Sequence, residues 1–190
     1  MVSAIIMASG QSKRMGKNKL LLSYKGKTII ENVLDKVTSC DFKSILVVYN
    51  NEEVLKICKD RNIRAIYNNE WQLGQSKSIN IGIKNSPKSD GYAFFTGDQP
   101  LIDVETINLL LKEFNNNKDC IIVPNYNNKR GTPTIFSENF KEKLLELEGD
   151  VGGRNIIKEN NSCVKLISVK NEFILWDIDT KEDYNNLLEI

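Results

Sequence analysis

The residues best suited to chemistry come early: Met7-Ala8-Ser9-Gly10-Gln11-Ser12-Lys13-Arg14-Met15-Gly16-Lys17-Asn18-Lys19, a glycine-punctuated cationic segment directly after an apolar run. This is chemistry for polyphosphate. Gly10 and Gly16 allow positive φ and close backbone approach, and Ser9, Ser12 and the loop amides can donate hydrogen bonds to phosphate oxygens. Arg14 adds a planar fork of donors and Lys19 a point charge. The segment has neither the G-x-x-x-x-G-K-[ST] order of a P-loop nor the G-x-G-x-x-G of a dinucleotide fold, so neither mechanism transfers to it. A solvated basic turn explains it equally well in isolation, and the weight comes from residues further on.

Gly97-Asp98-Gln99-Pro100 ends an apolar run, which puts Asp98 at the carboxyl edge of a strand, where ligands of open α/β sheets sit. A carboxylate there can hold Mg²⁺, which keeps several waters and otherwise takes substrate phosphates. Asp177-Ile178-Asp179-Thr180 is a second acidic strand end, and period two puts Asp177 and Asp179 on one face, so either could be the second ligand beside Asp98. Asp179 and Thr180 also suit an N-cap. Gly74-Gln75-Ser76-Lys77-Ser78 opens a helix whose free N–H groups suit anions or heterocycle edges. Arg130, in Lys129-Arg130-Gly131-Thr132-Pro133, and Arg154, in Gly149-Asp150-Val151-Gly152-Gly153-Arg154, suit a second phosphorylated substrate.

The elements that position these residues alternate between β-branched runs and helical periodicity, the pattern of βαβ units around a mostly parallel sheet. Strands are expected at 2–8, 44–49, 64–67, 92–96, 120–124 and 165–169, with a seventh apolar run at 173–178 leading into the last helix. Helices are expected at 29–38, 52–60, 76–84, 104–114, 138–148 and 181–188. Asn-rich stretches such as Asn127-Asn128 suit left-handed turns, and Trp71 and Trp176 read as core or rim packing. No internal repeat or linker divides the 190 residues, so one domain is expected.

A net charge of +1 argues against nucleic acid or an anionic membrane as the main partner. The four cysteines form no C-x-x-C pair, and with no histidine in the chain a zinc set cannot be completed. They read as small hydrophobes in a reducing cytoplasm, and Met1 to Ile6 reads as a strand rather than a signal peptide. Without histidine there is also no Ser-His or Cys-His nucleophile, which leaves metal, cations and positioning to do any catalysis.

Together these residues resemble the molybdopterin nucleotidyltransferase family, in particular its molybdenum cofactor cytidylyltransferase branch. Ile6 to Leu20 is similar to the family's L-A-A-G-x-S-x-R-M-G-x-x-K-L, with Ser9 where a second small residue is usual. Gly74 to Ser78 resembles its G-x-S-x-S, Gly97 to Pro100 its G-D-Q-P, Arg130 to Pro133 its R-G-H-P, Gly149 to Arg154 its G-D-x-G-A-R, and Asp177 to Asp183 its D-I-D-T-P-E-D. Thr132 departs from the usual histidine, Gly153 from alanine and Lys181 from proline, the last two being mild changes for a loop and a first helical turn.

The resemblance implies one three-layer, Rossmann-like nucleotidyltransferase domain over 1–190 that moves CMP from CTP to the terminal phosphate of molybdopterin or molybdenum cofactor and releases pyrophosphate. A phosphate nucleophile is already ionised, so no general base is needed. The implied nucleotide site is Ala8, Ser9, Gly10, Ser12, Arg14, Lys19, Gly74, Ser76, Ser78 and Asp98, with Arg14, Lys19 and Asp98 catalytic. Mg²⁺, or Mn²⁺ in its place, would sit on Asp98 with Asp177 or Asp179, and Arg130, Asp150 and Arg154 would face the acceptor. A molybdenum hydroxylase would receive the product. Guanylyl transfer with GTP, nucleotidyl transfer to a sugar phosphate, and a non-catalytic cofactor chaperone are the alternatives.

Overall fold

The computed structural model describes residues 1–10 and 15–190; the expected phosphate contacts of Ser12 and Arg14 lie outside the described residues. The main sheet contains β1 (Val2–Ala8), β4 (Ser44–Tyr49), β5 (Arg64–Tyr67), β6 (Gly91–Thr96), β7 (Ile121–Tyr126), β8 (Lys129–Arg130), β9 (Thr134–Ser137) and β10 (Val164–Ser168). A small hairpin is formed by β2 (Ser23–Tyr24) and β3 (Lys27–Thr28). The helices are α1 (Ile29–Thr38), α2 (Glu52–Asp60), α3 (Gln75–Asn85), α4 (Val104–Asn116), α5 (Lys141–Leu145), α6 (Arg154–Glu159) and α7 (Lys181–Leu188).

The strand order is β10-β7-β9-β6-β1-β4-β5, with β8 paired to β7. All ladders are parallel except those of β9 with β6 and β7 and the β7–β8 hairpin. Asn127 and Asn128, at φ 47° and 66°, make the two-residue turn of that hairpin, the left-handed geometry their side chains tolerate.

Strand alternation divides the core into two faces. Ala4, Ile6 and Ala8 of β1 face one way, against Ile30, Val33 and Leu34 of α1, Val54 of α2 and Ile107, Leu110 and Phe114 of α4. Ile5 faces the other way, with Ile79 and Ile83 of α3, Leu144 of α5 and Ile156 and Ile157 of α6. The result is a three-layer α/β/α architecture. A third cluster packs Met15, Leu22, Tyr24 and Ile29 near the first loop against Ile178 and Leu187 from the far end of the chain.

Three expectations change. The run at 173–178 is not a strand: Glu172–Leu175 winds into a 3₁₀ turn, started by Asn171, whose Oδ1 accepts from the Ile174 amide at 3.3 Å. The helix expected at 138–148 is a 3₁₀ turn at Glu138–Phe140 followed by the single short helix α5. The antiparallel strand β9, buried throughout, and the short α6 fill sequence that pattern reading left as loop.

Candidate active site

Strand β1 pairs β4 on one side and β6 on the other, so chain direction across the sheet reverses there, and a crevice opens at the carboxyl edge. Register aligns Met7 with Thr96, and the Gly97 amide donates to the Met7 carbonyl at 3.0 Å, setting the Ser9-Gly10 and Gly97-Asp98 corners side by side. The cleft there encloses about 670 Å³ and is lined by Ser9, Gly10, Lys19, Gly74, Ser78, Asp98, Asp150 and Asp179, together with Met7, Leu20, Trp71, Gln72, Leu73, Gln75, Thr96 and Gly97.

Lys19 begins a 3₁₀ turn capped by Asn18, whose Oδ1 accepts from the Leu20 amide at 3.1 Å, while Leu20 is buried and anchors the turn. This aims the Lys19 ammonium at Asp98 and at Asp179, with Nζ 2.7 Å from Asp179 Oδ1. Burial by itself would push the Lys19 pKa down; the charge of Asp98 and the hydrogen bonds of Asp179 and Asp98 outweigh it, and the net shift is upward. The ammonium is therefore held charged at neutral pH.

The acidic segment 177–179 is pinned by a backbone bond from the Ile178 amide to the Asp98 carbonyl at 3.0 Å. Thr96 Oγ1 donates to Asp177 Oδ1 at 3.3 Å. Desolvation, then the charges of Asp98 and Asp179, push the Asp177 carboxyl up to about 6 against the opposing pull of Lys19 and Thr96. The residue is exposed and is not among the cleft-lining residues, which tempers the desolvation and leaves the crowding of like charges as the firmer cause. Thr180 rather than Asp179 is the N-cap of α7, in a box where Asp183 Oδ2 accepts from the Thr180 amide at 2.7 Å and its hydroxyl at 2.8 Å.

Among the described residues no three His, Cys, Asp or Glu side chains are arranged to enclose a metal by themselves. The donor set nevertheless fits a hard cation that completes its shell with water and phosphate. Asp98 Oδ1 is buried with no hydrogen-bond partner among the described residues, an arrangement whose desolvation cost a cation would offset. Asp177, bonded through Thr96 Oγ1 and crowded by two carboxylates, supplies a second oxygen direction.

The opposite wall is built by α3. Gly74 has φ +99°, and a Cβ there would lie 2.4 Å from Asp150 Cα, so only glycine lets the 149–150 loop close onto the helix start. Asp150 Oδ1 then accepts from the Gln75 amide at 3.1 Å and the Gly149 carbonyl from the Ser76 amide at 3.3 Å. Asp150 thus serves as a cap delivered from 75 residues away in sequence. Ser76 is buried behind this wall and is not among the cleft-lining residues.

Ser9 lines the cleft, but its hydroxyl is engaged internally: Ser9 Oγ and Ser78 Oγ are 2.7 Å apart, and the buried Asn68 amide donates to them at 3.1 and 3.2 Å. Asn50 Nδ2 donates to the Ser9 carbonyl at 3.0 Å. Ala8 is buried at the end of β1 and contributes by holding this corner. Sequence reading missed Asn68 and Asn50, each the first residue of an Asn-Asn-Glu run directly after a strand-ending tyrosine; a polar residue after a strand at the carboxyl edge was the signal that could have found them. Trp71, expected as core or rim, stands half-buried on the cleft rim.

Arg130 and Arg154 are exposed and not among the cleft-lining residues; Arg130 Nη2 donates to Asn161 Oδ1 at 3.4 Å and Arg154 opens α6. Thr132, the departure from histidine, donates its hydroxyl to Gln99 Oε1 at 2.7 Å, tying the Arg130 loop to the Asp98 corner. Gly153 is less permissive than a surface loop: a Cβ there would lie 2.3 Å from Cζ of the buried Phe136, which corrects the expectation of a mild exchange with alanine.

Comparison with known proteins agrees with this architecture. The chain is 27% identical over 193 residues to "Purine catabolism protein PucB" of Bacillus subtilis, covering 95% of this chain and 93% of that protein. It is 27% identical over 190 residues to "Probable molybdenum cofactor guanylyltransferase" of Aquifex aeolicus, covering 97% and 89%. The crystal structure of Rv0371c from Mycobacterium tuberculosis in complex with manganese shares the fold at a TM-score of 0.83 and 21% identity, covering 99% of this chain and 98% of that one. The family model for the MobA-like NTP transferase domain matches residues 4–164, and the chain belongs to that family.

Proposed function

We propose that the chain, as a single nucleotidyltransferase domain over 1–190, transfers CMP from CTP to the terminal phosphate of molybdopterin or its molybdenum-loaded form and releases pyrophosphate. The observation that carries this reading is Lys19, an ammonium held between Asp98 and Asp179 in a cleft of about 670 Å³, a volume that suits a nucleoside triphosphate.

Asp179 and Asp98 fix the Lys19 ammonium so that it offsets charge on the transferring phosphoryl group and the departing pyrophosphate without reorganising. Arg14 is assigned the same task from its place in the loop. Asp98, whose Oδ1 has no hydrogen-bond partner among the described residues while Lys19 takes its Oδ2, is the residue that would hold Mg²⁺, or Mn²⁺ in its place, with Asp177 or Asp179 beside it; Asp177 carries no ion pair to Lys19 and is the one assigned. Bound there, the cation would neutralise phosphate charge and favour in-line attack. The manganese in the Rv0371c structure supports a divalent cation in this fold.

The Ser9–Ser78–Asn68 contacts lock the two walls that would flank base and ribose, with Gly10 and Gly74 lining that side and Ser76 supporting it from behind; Ser12 is assigned there from its place in the sequence alone. Arg130, Asp150 and Arg154 are assigned to the acceptor, Asp150 through the α3 cap and Arg130 through the loop that Thr132 ties to Gln99. The phosphate nucleophile brings its own negative charge, so the lack of histidine costs this reaction nothing.

A second reading, guanylyl transfer from GTP, is favoured by the name of the Aquifex aeolicus relative. Cytosine rests on the likeness of Ala8-Ser9-Gly10 to the cytidylyltransferase branch. Pyrophosphate release measured with Mg²⁺ and each of CTP, GTP, ATP and UTP, with and without molybdopterin, separates them. Release with CTP only when the pterin is present establishes the proposal, release with GTP replaces it with the second reading, and silence with all four refutes both.

A further inference from the structure

Two of the four cysteines, distant in sequence, meet in space. Cys120 and Cys163 precede β7 and β10, whose parallel register pairs Ile121 with Val164. That register sets the two cysteines side by side at the entry to adjacent strands, which lie about 4.8 Å apart, a separation a disulfide can span. Their sulfurs are 3.9 Å apart, and Cys163 Sγ also lies 3.3 Å from the Asp119 carbonyl. Both are partly accessible to solvent, whereas Cys58 is buried and its thiol is pushed up to about 11 by that burial.

We propose that Cys120 and Cys163 form a site of oxidative modification, closed by a hydroperoxide into a cross-strand disulfide. One thiolate attacks the peroxide oxygen, the O–O bond breaks, and the leaving oxygen takes a proton, giving a sulfenic acid. The second thiol attacks that sulfur, the S–S bond forms, the S–O bond breaks, and water leaves with the remaining proton. Two electrons pass from the dithiol to the peroxide. Burial, then the neighbouring Cys163, raises the Cys120 pKa against a smaller opposing effect of Lys165, so closure is faster in mild alkali.

The bond would join positions 43 residues apart, and the loop so closed carries Arg130, Thr132, Asp150 and Arg154. Cross-linking a loop of this length restricts the unfolded chain and anchors the edge strand β10. The structure therefore places a reversible clasp on the half of the fold assigned to the acceptor, and it does so independently of which acceptor is used.

The test is titration of the purified full-length protein with hydrogen peroxide, followed by alkylation in denaturant and peptide mapping. Support consists of a fall from four free thiols to two, a mass loss of two hydrogens, and a Cys120–Cys163 linked peptide. A thermal midpoint higher by roughly 5–10 °C, reversed by dithiothreitol, should accompany it. Cys163→Ser and Cys120→Ser should each abolish the shift. Addition of oxygen atoms with no cross-link, or a linkage involving Cys40 or Cys58, overturns the proposal. Mapping of the wild-type chain decides the matter even if a serine variant folds poorly.

Discussion

Gly74→Ala probes the point where the two halves of the cleft meet. At φ +99° and ψ −174° the residue lies in a region that is essentially glycine-only, and an alanine there carries about 1–3 kcal/mol of backbone strain. The new Cβ would sit 2.4 Å from Asp150 Cα, 2.5 Å from its nitrogen and 2.6 Å from the Gly149 carbonyl carbon, all main-chain atoms that cannot rotate aside. The 149–150 loop must withdraw, and the hydrogen bonds to the Gln75 and Ser76 amides go with it. With those two partly exposed bonds taken at the low end of their range, about 0.5 kcal/mol each, the total loss is about 2–4 kcal/mol. For a chain of this size that is a fall in melting temperature of roughly 10 °C, read by calorimetry. Asp150→Ala removes only the cap and should cost about 1 kcal/mol, so the pair separates clash from capping. KM for the nucleotide should rise in both, because the α3 wall shifts. An unchanged midpoint and KM in Gly74→Ala would refute the assignment of this glycine to close backbone approach.

Three further outcomes are expected. Lys19→Ala and Asp98→Ala should each lower kcat by about 10²–10³-fold while nucleotide affinity from equilibrium binding changes far less, and retained turnover in a folded variant would remove either residue from the mechanism. The Asp177 carboxyl is pushed up to about 6 from an ordinary 3.8, so the folded protein holds this proton more tightly than the unfolded chain. Its contribution to stability is accordingly present at low pH and lost as pH rises through about 6, while cation binding, which needs the anion, strengthens over the same span. Mn²⁺ titrated calorimetrically should bind more weakly at the acid end, and Asp177→Asn should flatten that dependence; an equally steep profile in the variant would move the ligand elsewhere. Gly153→Ala should destabilise by about 1–3 kcal/mol in a denaturant melt as Phe136 yields to the new methyl group, and a neutral result would show that ring to be mobile.

Much of the framework was legible because most parallel strands are short, rich in apolar residues and lead on to an amphipathic helix, β7 with its hairpin being the exception. The bounds of β1, β4, β5, α1, α2 and α7 match their expected residues, β6 and α4 differ by one or two residues at one end, and β7, β10 and α3 by one or two at both. What escaped was set by tertiary contact rather than by local period. β9 has no polar alternation because both its faces are buried, so it does not announce itself as a strand. Phe173 to Ile178 is apolar enough for a strand, but Asn171 caps a 3₁₀ turn instead and Ile178 is held by the Asp98 carbonyl. The consequence is chemical. Period two could not choose between Asp177 and Asp179, whereas the actual turn hands Asp179 to Lys19 and leaves Asp177 beside Thr96. Asp150 as a helix cap and the Cys120–Cys163 contact were beyond reach for the same reason, each joining residues tens of positions apart.

The Lys19–Asp179 pair spans 160 residues of sequence. During translation at ordinary rates, the lysine leaves the ribosome roughly 10–30 s before its partner is made. Over that interval the first loop exists without the far segment that Ile178 and Leu187 bring to the Met15 and Leu22 cluster. Formation of the central β1–β4–β5 unit, whose contacts are close in sequence, can precede completion of the cleft by many seconds. The cleft is thus a late product of synthesis: its lysine waits for a carboxylate made 160 residues later, while β1, β4 and β5 are already outside the ribosome.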